Sequence, residues 1–172
     1  MRKYFTLMLM AVFTFAVVSC DTRNDDVIVQ DTDTYPVVLD INNVNFDNDA
    51  QNGYHIERSF TSPLMSTDVV LIYRKGGSAT DGSAIWQLIP RTIYLDGGNE
   101  LDYDFDFTKN DIMIYANGNY DISATPEYLN NQTFRVVLVP ASAGAKSASV
   151  NYTDYDSVIR YFKIDDSKVS GF

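Results

Sequence analysis

The sequence predicts an all-β chain that folds as an antiparallel β-sandwich of immunoglobulin-like type, with one short C-terminal helix. Apolar and polar residues alternate over many short stretches, which is the period of a half-buried strand. Turn-forming Gly, Asn and Asp residues separate these stretches at short intervals. Helical spacing occurs only near the C-terminus. Many short strands with almost no helix favour two packed antiparallel sheets.

The first predicted strand changes its pattern in the middle. Val37 and Ile41 fall on one parity, whereas Val44 and Phe46 fall on the other. An inserted residue produces such a change of parity within one strand. We therefore expect a β-bulge at Asn42–Asn43.

The next apolar stretches predict a central strand followed by a strand pair. Val69–Tyr73 is apolar at every position, which is typical of a strand covered on both faces. Pro90 stands between the apolar stretches Ala84–Ile89 and Thr92–Leu95 and is expected to end one strand before the next begins. Trp86 is a candidate for the core tryptophan of an immunoglobulin-like sandwich.

The second half of the chain contains the clearest strand. Asp96–Asn99 is a strong turn signal, and Leu101–Phe107 then alternates apolar residues with aspartates. Asn117–Gly118 predicts the turn of a hairpin between apolar stretches at 112–115 and 120–122. Pro126 follows Thr125 and predicts a single helical turn.

The end of the chain predicts one more core strand and the helix. Phe134–Val139 is almost wholly apolar and is closed by Pro140, and residues 141–149 have the composition of a loop. The apolar stripe of the predicted helix has i, i+3, i+4, i+7 spacing and consists of Tyr155, Val158, Ile159 and Phe162.

The N-terminus predicts export and lipid attachment. Arg2 and Lys3 precede an apolar stretch, Tyr4–Val18, and a small residue precedes Cys20, which together are the features of a secretory signal. We expect residues 1–19 to be the signal peptide, with Cys20 as the lipid-attachment residue. An acidic flexible tether is expected over 20–34 and the β-sandwich domain over 35–172.

Charge and cysteine content exclude several functions. Arg2 and Lys3 leave with the signal peptide, so 13 basic residues become 11 against 23 acidic ones, a formal net charge of −12. Such a chain repels phosphate backbones, and the sequence contains no evident basic stripe, so we expect no nucleic-acid partner. Because Cys20 is the single cysteine, a lipidated chain has no thiol for catalysis, metal binding or redox chemistry.

Several segments are similar to a group of bacterial surface proteins. Val17–Cys20 resembles a lipoprotein lipobox, which implies a diacylglycerol on Cys20. Together with the acidic tether, the segments Phe134–Pro140 (FRVVLVP) and Asn151–Phe162 (NYTDYDSVIRYF) resemble small uncharacterised lipoproteins of Bacteroidota. The resemblance implies an outer-membrane lipoprotein that faces the periplasm or the cell surface, and it implies no activity.

Three acidic or polar clusters are candidates for chemical sites. His55, Glu57 and Ser59 lie at alternate positions of one strand, about 6.6 Å apart along it, too far for a catalytic triad. The aspartates of Leu101–Phe107 point the same way without converging on one ion. The turn Asp47–Gly53 superficially resembles a calcium loop, but its glycine is one place late. We therefore expect no catalytic residues, no metal site and no cofactor.

Tyrosine is abundant and predicts a binding surface. The candidate patch, on loops able to stack on sugars or contact a protein, consists of Tyr120, Tyr128, Tyr152 and Tyr155. The resulting hypothesis is a non-catalytic, lipid-anchored envelope or cell-surface module that binds a glycan or an envelope protein. The alternative is a glycosidase-like hydrolase that uses two carboxylates.

Overall fold

The structure, a computed structural model, describes residues 37–140 and 150–172. The predicted signal peptide, Cys20, the tether and the 141–149 loop lie outside the described residues. The strands are β1 Val37–Val44, β2 Asp47–Asp49, β3 Gly53–Ser59, β4 Val69–Ser78, β5 Ala84–Ile89, β6 Arg91–Tyr94, β7 Glu100–Phe107, β8 Asp111–Gly118, β9 Gln132–Val139 and β10 Ser170–Gly171. The helix α1 is Tyr155–Phe162, and short 3-10 helices occupy Asp96–Gly98, Ile122–Ala124 and Pro126–Tyr128.

The strands form two five-stranded sheets. The first sheet has the order β10-β1-β9-β4-β5 and the second has the order β2-β3-β8-β7-β6. Neighbouring strands are antiparallel, except that β10 pairs with β1 in parallel. The predicted β-sandwich with one short C-terminal helix is confirmed.

The irregularity in β1 is the predicted bulge. The pairing of β1 with β9 shifts register between Ile41 and Val44. Asn43 within the shift has a φ of 52°, a left-handed conformation that asparagine tolerates better than most residues. The inserted residue lets Ile41 and Val44 both face the core between the sheets, as the change of parity indicates.

The main core lies between the two sheets. Ile72 and Val136 from the first sheet belong to the same buried cluster as Ile56 and Ile114 from the second, and all four are at most 1% exposed. Each such side chain contributes about 1.5–3 kcal/mol to stability through burial. The apolar face of β7 joins this core through Leu101 and partly buried Phe105, which leaves its aspartates on the outer face.

Pro90 marks the passage from one sheet to the other. β5 before it pairs with β4 in the first sheet, and β6 after it pairs with β7 in the second. Trp86 on β5 packs on the outer face of the first sheet rather than between the sheets. The comparison with immunoglobulin domains therefore rests on the two-sheet architecture and not on this residue.

The hairpin predicted at Asn117–Gly118 is wrong. Both residues belong to β8, where Gly118 pairs with Leu101 of β7. A Cβ on Gly118 would lie 2.5 Å from Ile122 and 2.8 Å from the carbonyl oxygen of Glu100. The glycine is therefore required for close packing and not for a turn, which a pattern of turn residues does not distinguish.

A second buried cluster joins helix α1 to the outer face of the first sheet. Val158 of the helix is fully buried against Tyr73 and Val137 of the sheet. The predicted apolar stripe forms this contact, because Ile159 and Phe162 also pack there. No helix within the described ranges is long and apolar enough to span a membrane.

Arg135 fixes the same helix by polar contacts. Its guanidinium donates to both carboxylate oxygens of Asp40, at 2.7 and 2.8 Å, and to the hydroxyl of Tyr155 at 2.9 Å. The guanidinium also lies 4.4 Å from the centre of the Trp86 ring. Burial disfavours its charge, but the bonds to Asp40 and Tyr155 outweigh this and raise the pKa of Arg135.

Helix α1 ends in a Schellman motif with an unusual residue. Lys163 has a φ of 54°, and its N–H donates to the Arg160 carbonyl oxygen while that of Ile164 donates to Ile159. Glycine normally occupies this left-handed position because any Cβ is strained there.

Replacing Lys163 with glycine should stabilise the protein. We expect Lys163→Gly to raise the free energy of unfolding by about 1 kcal/mol, since it removes the Cβ strain of the left-handed conformation. The measurement is urea unfolding of the full chain in detergent. Lys163→Ala removes the same charge and keeps the Cβ, so it should give no gain, and equal effects of the two substitutions would contradict this explanation.

Candidate functional site

The predicted polar clusters on the second sheet do not assemble a reactive site. His55, Glu57 and Ser59 lie along β3, and their Cα partners on β8 are three different residues. The His55 Nδ1 atom is 3.0 Å from the carbonyl oxygen of Gly53, and its Nε2 atom is 3.6 Å from Asp49. His55 is thus engaged by its own hairpin and not by Ser59.

The turn between β2 and β3 uses its central carboxylate to hold its own backbone. One oxygen of Asp49 accepts hydrogen bonds from the backbone N–H groups of Asn52, at 2.6 Å, and Gln51, at 2.8 Å. The bond from Asn52 is the main reason that the pKa of Asp49 is lowered. Within residues 37–140 and 150–172, no three His, Cys, Asp or Glu side chains are grouped so that they could hold a metal ion.

The four tyrosines of the predicted patch do not form one surface. Tyr120 and Tyr128 are partly buried against the core between the sheets, whereas Tyr155, the first residue of helix α1, is buried against the outer face of the first sheet. Tyr152 is 44% exposed, and its carbonyl oxygen accepts the hydroxyl of Tyr73 at 2.9 Å. Of the four, Tyr128 also lines a groove together with Arg74 and Arg91.

A groove opens where β4, β5 and β6 meet at one edge of the sandwich. Its volume is about 400 Å³. We call it the arginine groove and define it by the lining residues Arg74, Gln87, Arg91, Tyr94 and Tyr128. A second groove of about 310 Å³ adjoins it, shares Arg74 and is also lined by Lys75. Neither groove has an aspartate or glutamate in its wall.

Residues from both sheets converge on the arginine groove. The guanidinium carbon of Arg74 on β4 lies 4.7 Å from the centre of the Tyr103 ring. Arg91 on β6 is the direct strand partner of Tyr103 on β7. By strand alternation Arg91 shares the face of Ile93, which packs against the core between the sheets. The two arginines, which showed no clustering in the sequence, are thus both neighbours of one buried tyrosine, Arg74 through its guanidinium and Arg91 through strand pairing.

Gln132 holds Arg74 in place. The Nε atom of Arg74 donates to the side-chain oxygen of Gln132 at 2.9 Å. The Gln132 amide nitrogen donates to the carbonyl oxygens of Glu127 and Asn130, both at 2.8 Å. Gln132 is 5% exposed, so every strong contact of its amide is made inside the protein. The orientation of Arg74 is therefore set before any ligand arrives.

Tyr103 contacts Arg74 as an uncharged phenol and so does not neutralise the charge of the guanidinium. Its hydroxyl donates to the Tyr128 carbonyl oxygen at 2.6 Å. Burial raises the pKa of Tyr103 to about 12, against the opposing effect of Arg74, so the phenol is neutral near pH 7. None of Arg74, Lys75 and Arg91 forms an ion pair with a carboxylate of residues 37–140 or 150–172. The lining of the groove thus carries two arginines and no carboxylate, while Asp102 and Glu100 of β7 are the strand partners of Thr92 and Tyr94.

The rim of the groove carries an exposed aromatic ring. Tyr94, the last residue of β6, is 77% exposed. Gly76 on the opposite side has no side chain, and a Cβ there would lie 2.6 Å from the Gln87 amide. The glycine therefore lets Gln87 lie across β4 with its amide in the groove wall.

The role of Gln132 can be tested by an apolar substitution of similar size. We expect Gln132→Leu to lower the free energy of unfolding by about 2–3 kcal/mol, because the Glu127 and Asn130 carbonyls and Arg74 lose a buried partner. Urea unfolding of the full chain in detergent measures the change. Gln87→Leu makes the same chemical change at a glutamine with no hydrogen bond among the described residues and should cost under about 0.5 kcal/mol. Similar losses for both variants would contradict the role given to Gln132.

Comparison with known proteins adds no relative from which a function could be transferred. No family model matches the chain, and no curated protein and no solved structure matches it.

Proposed function

We propose that this chain is a non-catalytic, lipid-anchored binding module of the bacterial outer membrane or cell surface. Cys20 carries the lipid, the acidic tether gives the domain reach, and the arginine groove contacts a glycan or an envelope protein. The observation that carries the proposal is the groove: an arginine held by Gln132, a second arginine and an exposed tyrosine line one recess.

The shape and chemistry of the groove favour binding over hydrolysis. A glycosidase of the usual kind needs two carboxyl groups about 5–9.5 Å apart on either side of the scissile bond. The walls of both grooves contain arginine, lysine, amide and hydroxyl groups but no carboxylate. These groups can bind a ligand through hydrogen bonds and positive charge, but they do not include the carboxyl acid and carboxylate nucleophile or base of such a glycosidase.

Placing a photoreactive side chain at the rim tests the proposal in cells. Intact cells producing the full chain, with an epitope tag after Phe172 and benzoylphenylalanine in place of Tyr94, should give a light-dependent adduct. The same substitution at Tyr152, which is 44% exposed but is not among the residues that line the groove, should give none. An adduct at both positions, or at Tyr152 alone, would contradict binding through the groove.

The anchor is tested in the same cells. The tagged wild-type chain should fractionate with the membrane, and Cys20→Ala should release it. Protease added to intact cells should remove the tag if the domain faces outward and should spare it if the domain faces the periplasm. A Cys20→Ala chain that stays in the membrane would contradict lipid anchoring.

A further inference from the structure

The arginine groove offers the groups that recognise a carboxylate. A guanidinium is planar and presents paired N–H donors that match the two oxygens of a carboxylate. Arg91 makes no ion pair or hydrogen bond within the described residues, and Arg74 keeps donors beyond those used by Gln132 and Tyr103. Two cations facing one recess repel each other weakly through water, and a bound anion relieves that repulsion.

The remaining groups of the groove suit a sugar ring. Tyr94 presents an exposed aromatic face at the rim, and aromatic rings bury the apolar C–H face of a saccharide. Gln87 and Thr92 also line the recess, and their side chains carry an amide and a hydroxyl group. Both groups donate and accept hydrogen bonds, as sugar hydroxyls require.

The size of the recess limits the ligand. A volume of about 400 Å³ lies within the usual range of small-molecule sites, about 300–1,000 Å³. A standard protein interface needs about 800 Å² from each partner, which a recess of this size does not supply by itself. The groove therefore fits one or two sugar rings better than a folded protein.

We infer that the arginine groove binds a carboxylate-bearing saccharide unit, with the carboxylate between Arg74 and Arg91 and the ring against Tyr94. The inference rests on the proposed function and names its ligand class. A uronate unit has both required parts, a planar anion and a pyranose ring. The groove then selects acidic glycans over neutral ones, because a neutral sugar leaves both guanidinium groups without an anion.

Calorimetric titration of the full lipidated chain in detergent tests this inference with matched probes. An oligogalacturonate should bind. Its fully methyl-esterified form keeps the rings without the charge, acetate keeps the charge without the ring, and an oligoglutamate peptide replaces the sugar backbone. Each of these three should bind at least tenfold more weakly.

A pair of variants with the same charge change locates the site. Arg91→Gln should weaken oligogalacturonate binding about tenfold or more, and it breaks no side-chain hydrogen bond or ion pair among the described residues. Arg160→Gln removes an equal charge from an exposed position on helix α1, where its side chain is 70% exposed, and should leave binding unchanged. Tyr94→Ala should weaken binding of oligogalacturonate and not of acetate.

The contrary results are distinct. If the methyl ester binds as tightly as oligogalacturonate, the carboxylate is not recognised. If acetate or oligoglutamate binds as tightly, the sugar ring is not recognised. If Arg91→Gln and Arg160→Gln have equal effects, the ligand does not bind in the arginine groove. If no oligogalacturonate binds while the photoreactive residue at position 94 still forms its adduct, the ligand class is wrong and the binding function stands. If both fail, the proposed function fails as well.

Discussion

The ion pair between Arg135 and Asp40 is the polar contact on which the outer face of the first sheet depends. Both side chains are largely removed from water, with 13% and 14% of their side-chain surface exposed. Desolvation of two such charges costs several kcal/mol, which the bidentate contact and the Tyr155 hydroxyl offset. Because loss of one partner strands the other charge, removing either should cost about 3–5 kcal/mol. Helix α1 is therefore bound to β1 and β9 by both packing and charge.

The contrast between Arg135 and Arg74 connects the fold to the proposed function. They occupy neighbouring central strands and both lie close to an aromatic ring. The Arg135 guanidinium has a carboxylate, a hydroxyl and an indole around it, so it has little left to offer a ligand. Arg74 is held by neutral partners, Gln132 and Tyr103, and lines an open recess. Arg135 therefore stabilises the packing of helix α1, whereas Arg74 is available to a ligand.

Local patterns in the sequence predicted the elements well. The parity change in β1 indicated its bulge, and the helical spacing predicted α1, because backbone geometry fixes which residues share a face. Tyr155 is the first residue of the apolar stripe of α1, so the same spacing also implies that it is buried. A buried tyrosine does not belong in a binding patch. Gly118 was misassigned because glycine serves close packing and turns equally well.

The groove was not predictable in this way. Arg74, Arg91 and Gln132 lie on three different strands, and only the pairing of those strands and the packing of the two sheets bring them together. No periodicity encodes such a contact between distant segments. The buried Gln132 is the residue that the sequence analysis missed, since a glutamine at the start of an apolar strand resembles an ordinary edge position.

The most direct test of this account is the reactivity of individual arginines toward phenylglyoxal, measured by mass spectrometry on the intact full chain. The reagent attacks guanidinium groups that are not enclosed by partners. We expect modification of Arg91 and Arg74 and protection of Arg135, whose donors are held by Asp40 and Tyr155. Modification of Arg135 at the rate of Arg91, or protection of Arg74 equal to that of Arg135, would contradict it.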